Sequence, residues 1–348
     1  MGSPGPEASR ASGRVGTVID NDFYDELGVG GWWDKDGPQY GLHQLNPLRV
    51  TYFQECLEKE GLRCAATSTS PAPQLVEIGC GGGIVSEALS HMGYRVHGID
   101  LSAGSVAVAQ AHAAQSSIPT EHLHYSVGNA YELPLPDSCA DAVVMSDVLE
   151  HLDDLPKALA EVRRVLKPGG ALVFDTFNRT FLSWFFGIFG AQMLLKVVPS
   201  HCHDWDLFIK PTELSAVMEA NCMRIRHLTG FSVSLNPLAV LWCYVSGGKP
   251  PMRFALTPSL SVQYLGYAVK STAAAATAVG KGKGGAQEEE EEGGEGNGLP
   301  APIDIEHSSF WPRGSGHVAA AMVAAAVGAG LWPARAGARG GGSRAVGQ

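Results

Sequence analysis

The stretch "QLVEIGCGGGIVSEALSHMG" (residues 74–93) limits the possible folds more than any other part of the chain. It begins as a short apolar run that reads as a buried strand. A glycine cluster follows, and apolar residues then recur at helical steps up to Gly93. Gly79, Gly81 and Gly83 let the backbone turn tightly and come close to a ligand. A strand feeding a helix through such a loop is the opening unit of a parallel α/β sheet.

The same alternation continues downstream. "RVHGID" reads as a strand and "SAGSVAVAQAHAAQS" as a helix capped by Ser102. "HLHYSVG" and "ADAVVMS" are strands; "LPKALAEVRRVLKPGG" is an amphipathic helix stopped by Pro168 and Gly169; "ALVFDTF" is a fifth strand. Pro211 opens a further helix, "KPTELSAVMEANC", and "RIRHLTGFSV" and "SVQYLGYAVK" supply two last strands. The expectation is a seven-stranded, mostly parallel, doubly wound α/β sheet covered on both faces.

Composition sets the boundaries. Order-forming residues fill positions 20–271, between a Gly/Pro-rich N-terminus (1–19), read as flexible, and a low-complexity tail (272–348). The tail opens with "STAAAATAVGKGKGGAQEEEEEGGEGNGLPAP", which buries too little apolar area to offset its chain entropy and reads as disordered. Its glutamates, Glu288 to Glu292 and Glu295, account for part of the net charge of −10. No basic stripe or basic-aromatic patch points to nucleic acid. Seven cysteines without CxxC spacing read as reduced thiols of an intracellular protein. Residues 1–19 hold no apolar core of a secretory signal, and Pro6 spoils the myristoylation pattern of "MGSPGP". The apolar run Val318 to Trp332 falls short of the roughly 20 residues needed to span a bilayer.

The glycine spacing is GxGxG. Ile84 occupies the position where a dinucleotide fingerprint has its last glycine. The next strand ends in Asp100, a carboxylate placed to accept from both hydroxyls of a ribose. Together these features favour S-adenosylmethionine over a nicotinamide dinucleotide. Asn129 follows the third strand, where it either reads an adenine edge or forms a turn. With "LKPGG" and "ALVFDTFNR" added, residues 74–178 resemble the Rossmann-like class I methyltransferases.

Asp147, Glu150 and His151 follow the fourth strand. On a helix, positions i, i+3 and i+4 share a face, so two carboxylates and an imidazole there can hold a divalent cation; the "EH" pair alone also follows this strand in many methyltransferases without metal. "HCHDWD" (residues 201–206) lacks a second ligand pair and reads as a polar loop, with His203 as a candidate base.

Outside the superfamily core the chain becomes more particular. "LHQLNPLR", "CGGG", "LEH", "FNR", "VP…HDW" and "FIKPTEL" occur in that order. Over residues 20–270 the chain resembles the ubiquinone-biosynthesis O-methyltransferases, which methylate polyprenylated dihydroxybenzoates and demethylubiquinol. The resemblance implies that Arg49, Gly79, Asp100 and Ser146 contact S-adenosylmethionine; Gly81 belongs to the same loop. It also implies Mg²⁺ at Asp147, Glu150 and His151, although the family's first ligand is Glu and Asp147 is one methylene shorter. A chelated catechol ionises more readily than a free phenol, and His203, or His151 where it is not a metal ligand, is expected to take the proton. The implied place is peripheral to a membrane, in a ubiquinone-biosynthesis complex: the matrix side of the mitochondrial inner membrane in a eukaryote, otherwise the cytoplasmic face of the inner membrane.

The apolar stretch "FLSWFFGIFGAQMLL" (residues 181–195) is too short to span a bilayer and follows the fifth strand, beside the pocket. It is expected to form a lid helix that touches lipid and admits the polyprenyl tail, or else an ordinary buried lid. Two other functions fit parts of the pattern. One is methylation of a soluble phenol, amine or thioether. The other is a non-catalytic, cofactor-binding subunit, against which the glycine loop, Asp100 and the acidic triplet argue.

Overall fold

The computed structural model describes residues 24, 27–64, 71–184, 205–234 and 252–272. Helices α1 (Gly28–Trp33) and α2 (Tyr40–Lys59) precede the sheet. Strand β1 (Gln74–Ile78), helix α3 (Ile84–His91), strand β2 (Arg95–Asp100) and helix α4 (Ala103–Ala113) follow. Next come β3 (Leu123–Val127), β4 (Ala140–Ser146), a 3₁₀ turn (Leu149–His151), α5 (Leu155–Val165) and β5 (Leu166–Phe177). The described chain ends with α6 (Pro211–Ala220), β6 (Met223–Ser234), β7 (Arg253–Thr257) and β8 (Gln263–Lys270).

The strands form one sheet in the order β3-β2-β1-β4-β5-β8-β6-β7. Strands β1 to β5 run parallel, while β8 pairs antiparallel with β5 and β6, and β7 antiparallel with β6. This is the class I methyltransferase sheet with eight strands rather than the seven expected. The additional strand, β7, is short and only partly buried, so it lacks the continuous apolar signature of the central strands. Strand order reverses between β1 and β4, and in open α/β sheets that switch point is where a ligand crevice forms.

Local rules account for the element ends. Ser102 accepts from Ser105 N–H at 2.9 Å and starts α4. Asp154 does the same for α5, accepting from Lys157 N–H at 3.0 Å. Helix α5 ends at Val165, three residues before the expected stop at Pro168. Leu166 is already extended (ψ 136°) and pairs with Ala140, and the residue before a proline is itself biased away from helix.

One face of the sheet packs on α2, α3 and α4 through Phe53, Leu57, Leu89, Tyr94 and Val106. The other packs on α5 and α6 through Leu159, Val162, Val165, Leu214 and Met218. Each such fully buried side chain contributes about 1.5–3 kcal/mol. Of the apolar stretch 181–195, the structure describes a single helical turn, Phe181–Ser183, capped by Thr180, and then Trp184. The rest of that stretch, His203, residues 1–19 and the tail beyond Thr272 lie outside the described residues.

Candidate active site

The glycine loop leaves β1 with Gly79 at φ +72° and Gly81 at φ +50°. Space is as restrictive as conformation at both positions. A Cβ on Gly79 would sit 2.3 Å from Val148 Cγ2, and one on Gly81 2.3 Å from the six-membered ring of Trp32. The loop is tied to β2, because the N–H groups of Gly79 and Cys80 donate to the carbonyl of Ile99 at 2.7 and 3.2 Å. The Asp100 carboxylate then accepts from Gly81 N–H at 2.7 Å and from Ser102 N–H at 2.9 Å.

The six residues expected at the cofactor, Arg49, Gly79, Gly81, Asp100, Asn129 and Ser146, line one cavity of about 490 Å³, and Asp147 and His151 share its wall. Asn129 is also a turn residue: its side-chain oxygen accepts from Tyr131 N–H at 2.9 Å. The cavity fronted by this glycine loop, together with the Asp100 carboxylate, fits S-adenosylmethionine.

Beneath the cavity lies a buried charge network. Arg49 Nη1 donates to Asp147 Oδ2 at 2.5 Å and to Asp175 Oδ2 at 3.5 Å, and Ser146 Oγ donates to Asp175 Oδ1 at 2.5 Å. Arg49 is 2% exposed and Asp175 1%. Burial, and then the charge of Asp147, hold the Asp175 carboxyl well above the usual carboxylate range, against the opposing pull of Arg49. On β1, burial pushes Glu77 up to about 8, partly offset by the Ser86 hydroxyl that donates to it.

The acidic triplet is arranged otherwise than its spacing suggested. Asp147 has φ +52° and precedes the turn instead of sharing a helical face with Glu150 and His151. Its Oδ2 is taken by Arg49, and Glu150 Oε2 accepts from Thr176 Oγ1 at 2.7 Å. Asp147 Oδ1 and Glu150 Oε1 are left as buried oxygens without a hydrogen bond. Glu150 is pushed well above the carboxylate range by burial and by the charge of Asp147. Among the described residues, no three His, Cys, Asp or Glu side chains form a group able to hold a metal ion. The triplet as placed does not fit Mg²⁺.

A family model described as a methyltransferase domain matches residues 76–174. The ubiquinone biosynthesis O-methyltransferase of Methylobacterium nodulans is 35% identical over 212 residues, spanning 61% of this chain and 83% of the relative. The chain belongs to the ubiquinone biosynthesis O-methyltransferase family. The relative of the same name from Alkalilimnicola ehrlichii is 33% identical over 243 residues, 70% of this chain and 87% of its own length. The one from Rattus norvegicus, whose name adds "mitochondrial", is 31% identical over 243 residues, 70% and 66% of the two chains.

As an S-adenosylmethionine-dependent O-methyltransferase, the protein places its cofactor cradle at the switch point between β1 and β4. Val148, one residue past Asp147, packs on Gly79 and joins the two strand ends. His151 lines the same cavity. Burial lowers its pKa to about 4, so the ring is neutral at pH 7. Sequence reading missed Asp175, Glu77, Trp32 and Gln39. The one available signal for Asp175 and Glu77 was an acid inside an otherwise apolar strand, "LVEI" and "LVFDTF".

Proposed function

We propose that the protein methylates a catechol-type hydroxyl of a polyprenylated ubiquinone precursor, a 3,4-dihydroxy-5-polyprenylbenzoate or a demethylubiquinol. The observation that carries this reading is the 35% identity, over 83% of its length, to a relative named for ubiquinone biosynthesis. The surface beyond the C-terminal end of β5 supports it. There Phe181 and Leu182 are 72% and 46% exposed, an apolar pair turned to solvent just after the strand. No described helix is long and apolar enough to cross a membrane, and a lipid-tailed substrate calls for peripheral contact made by such side chains.

The chemistry is an in-line displacement. The substrate oxygen bonds to the methyl carbon, the carbon–sulfur bond of the sulfonium breaks, and the hydroxyl proton leaves to a base. The protein's contribution is to hold the oxygen about 3 Å from the methyl carbon and to exclude water. Among the described residues, His151 on the cavity wall is our candidate for that base, which requires substrate binding to raise its pKa from about 4. His203 remains a second candidate. Since the triplet does not fit Mg²⁺ as placed, the chemistry is assigned to the protein's own groups. The name of the rat relative supports a mitochondrial setting in a eukaryote; peripheral contact with the matrix side of the inner membrane there, or with the cytoplasmic face in a bacterium, is part of the proposal.

The test compares a long-tailed catechol with a tailless one. Replacing Phe181 and Leu182 together by Ser should lower sedimentation with liposomes and cut turnover of the tailed substrate several-fold more than that of the tailless one. Equal losses on both, or none, would remove the membrane and tail from the account.

A further inference from the structure

Two adjacent tryptophans of α1 meet the glycine loop differently. Trp33 is satisfied: its Nε1–H donates to the carbonyl of Gly82 at 2.9 Å. Its ring stacks on His112 at 3.4 Å, and His112 Nδ1 is in turn held by Glu87 Oε1 at 2.7 Å. This arrangement clamps α1 onto the loop. Trp32 lies flat against Gly81 and Gly82, is 6% exposed and lines the cavity, yet its Nε1–H is buried with no hydrogen-bond partner. Seven residues later Gln39, at the head of α2, is 2% exposed, lines the same cavity, and has a side-chain oxygen equally without a partner. Folded proteins pair nearly all buried polar groups. Trp32 and Gln39 thus place one unused donor and one unused acceptor on the α1–α2 side of the wall, in addition to Arg49 Nε and Asp147 Oδ1, and a ligand that reaches both offers the opposite pair.

We propose that Trp32 Nε1–H donates to the carboxylate, and Gln39 Oε1 accepts from the ammonium, of the amino-acid end of S-adenosylmethionine. The inference rests on the cofactor assignment and deepens it. The other parts of the cofactor have other candidate partners: Asp100 at the end of β2 would take the ribose, and Asn129 after β3 would lie by the adenine. The zwitterion remains, and it is the part of the cofactor that carries an anionic acceptor beside a cationic donor. Trp32 and Gln39 thus act as binding residues contributed from outside the strand-loop-helix unit that carries the glycines.

The test uses the full chain, calorimetry and two probes. S-adenosylhomocysteine has the amino-acid end, and 5′-methylthioadenosine lacks it. Trp32→Phe keeps the ring against the loop and removes the donor; Gln39→Met keeps the length and removes the acceptor. Each variant should bind S-adenosylhomocysteine about tenfold more weakly, as for a lost hydrogen bond to a charged group, and 5′-methylthioadenosine within about twofold of wild type. Equal weakening for both probes would mean that the residues only shape the loop. Unchanged binding of both, with a raised KM for the catechol alone, would assign the two groups to the substrate. Either result overturns the proposal, whereas failure of wild type to bind S-adenosylhomocysteine would overturn the cofactor assignment instead. Should a variant not fold, the indole ¹⁵N–H resonance of Trp32 in the wild-type protein decides. It should shift on adding S-adenosylhomocysteine and stay in place with 5′-methylthioadenosine; no shift, or the same shift with both, would contradict the proposal.

Discussion

Arg49 on α2 donates to Asp147, 98 residues further along the chain, at 2.5 Å. The pair joins the helix before the sheet to the turn after β4, and Asp175 makes it a cluster of two acids around one guanidinium. Removing the cation from a buried cluster leaves uncompensated charge. Arg49→Met should therefore cost about 3–5 kcal/mol in chemical denaturation. Asp175→Asn should cost far less, because burial already favours the uncharged carboxyl. Equal losses for the two variants would show that Asp175 is ionised and shares the charge of Arg49.

Asp100 links the loop and helix α4 through two backbone N–H groups and faces the cavity. Asp100→Ala should lose two ribose hydrogen bonds, each worth about 1 kcal/mol or more, and so lower S-adenosylmethionine affinity by at least about tenfold. Unchanged affinity in calorimetry would place the ribose elsewhere.

Acid should destabilise the protein partly through His97. Its Nε2 lies 2.7 Å from Ser126 Oγ, and its ring faces His124 across the β2–β3 pair at 3.9 Å. Burial, and then His124, lower its pKa to about 4, against about 6.5 in an unfolded chain. The folded state thus binds fewer protons than the unfolded state between these values. Stability is full above pH 6.5 and falls by up to about 1.4 kcal/mol per unit as pH drops toward 4. His97→Gln should flatten the dependence of unfolding free energy on pH between 7 and 5. An unchanged slope would show that His97 does not contribute to it.

The parts of the site that depend on short-range rules were legible in the sequence. The glycine loop, the Ser102 cap and Asp100 at a strand end are set within some 30 residues of each other, and spacing alone carries them. What spacing could not show was the partner of a charge. Asp175 reads as an oddity in an apolar strand until Arg49, 126 residues away, and Ser146 are brought to it. The triplet was misread because an i, i+3, i+4 face presumes an α-helix, whereas Asp147 takes a left-handed backbone ahead of a three-residue 3₁₀ turn. Strand β7 was missed because a short, half-exposed segment at the sheet edge has no clear pattern. Trp32 and Gln39 drew no functional reading from the sequence, since an unused hydrogen bond becomes visible only once the cavity is built.

Mass spectrometry of the reaction product tests the central claim most directly. Wild-type protein, S-adenosylmethionine and a 3,4-dihydroxy-5-polyprenylbenzoate carried in liposomes should give a product with one added methyl group on a ring hydroxyl, together with one S-adenosylhomocysteine per turnover. A methyl group on a ring carbon, or turnover confined to soluble phenols, amines or thioethers, would contradict the assignment to a lipid-tailed catechol.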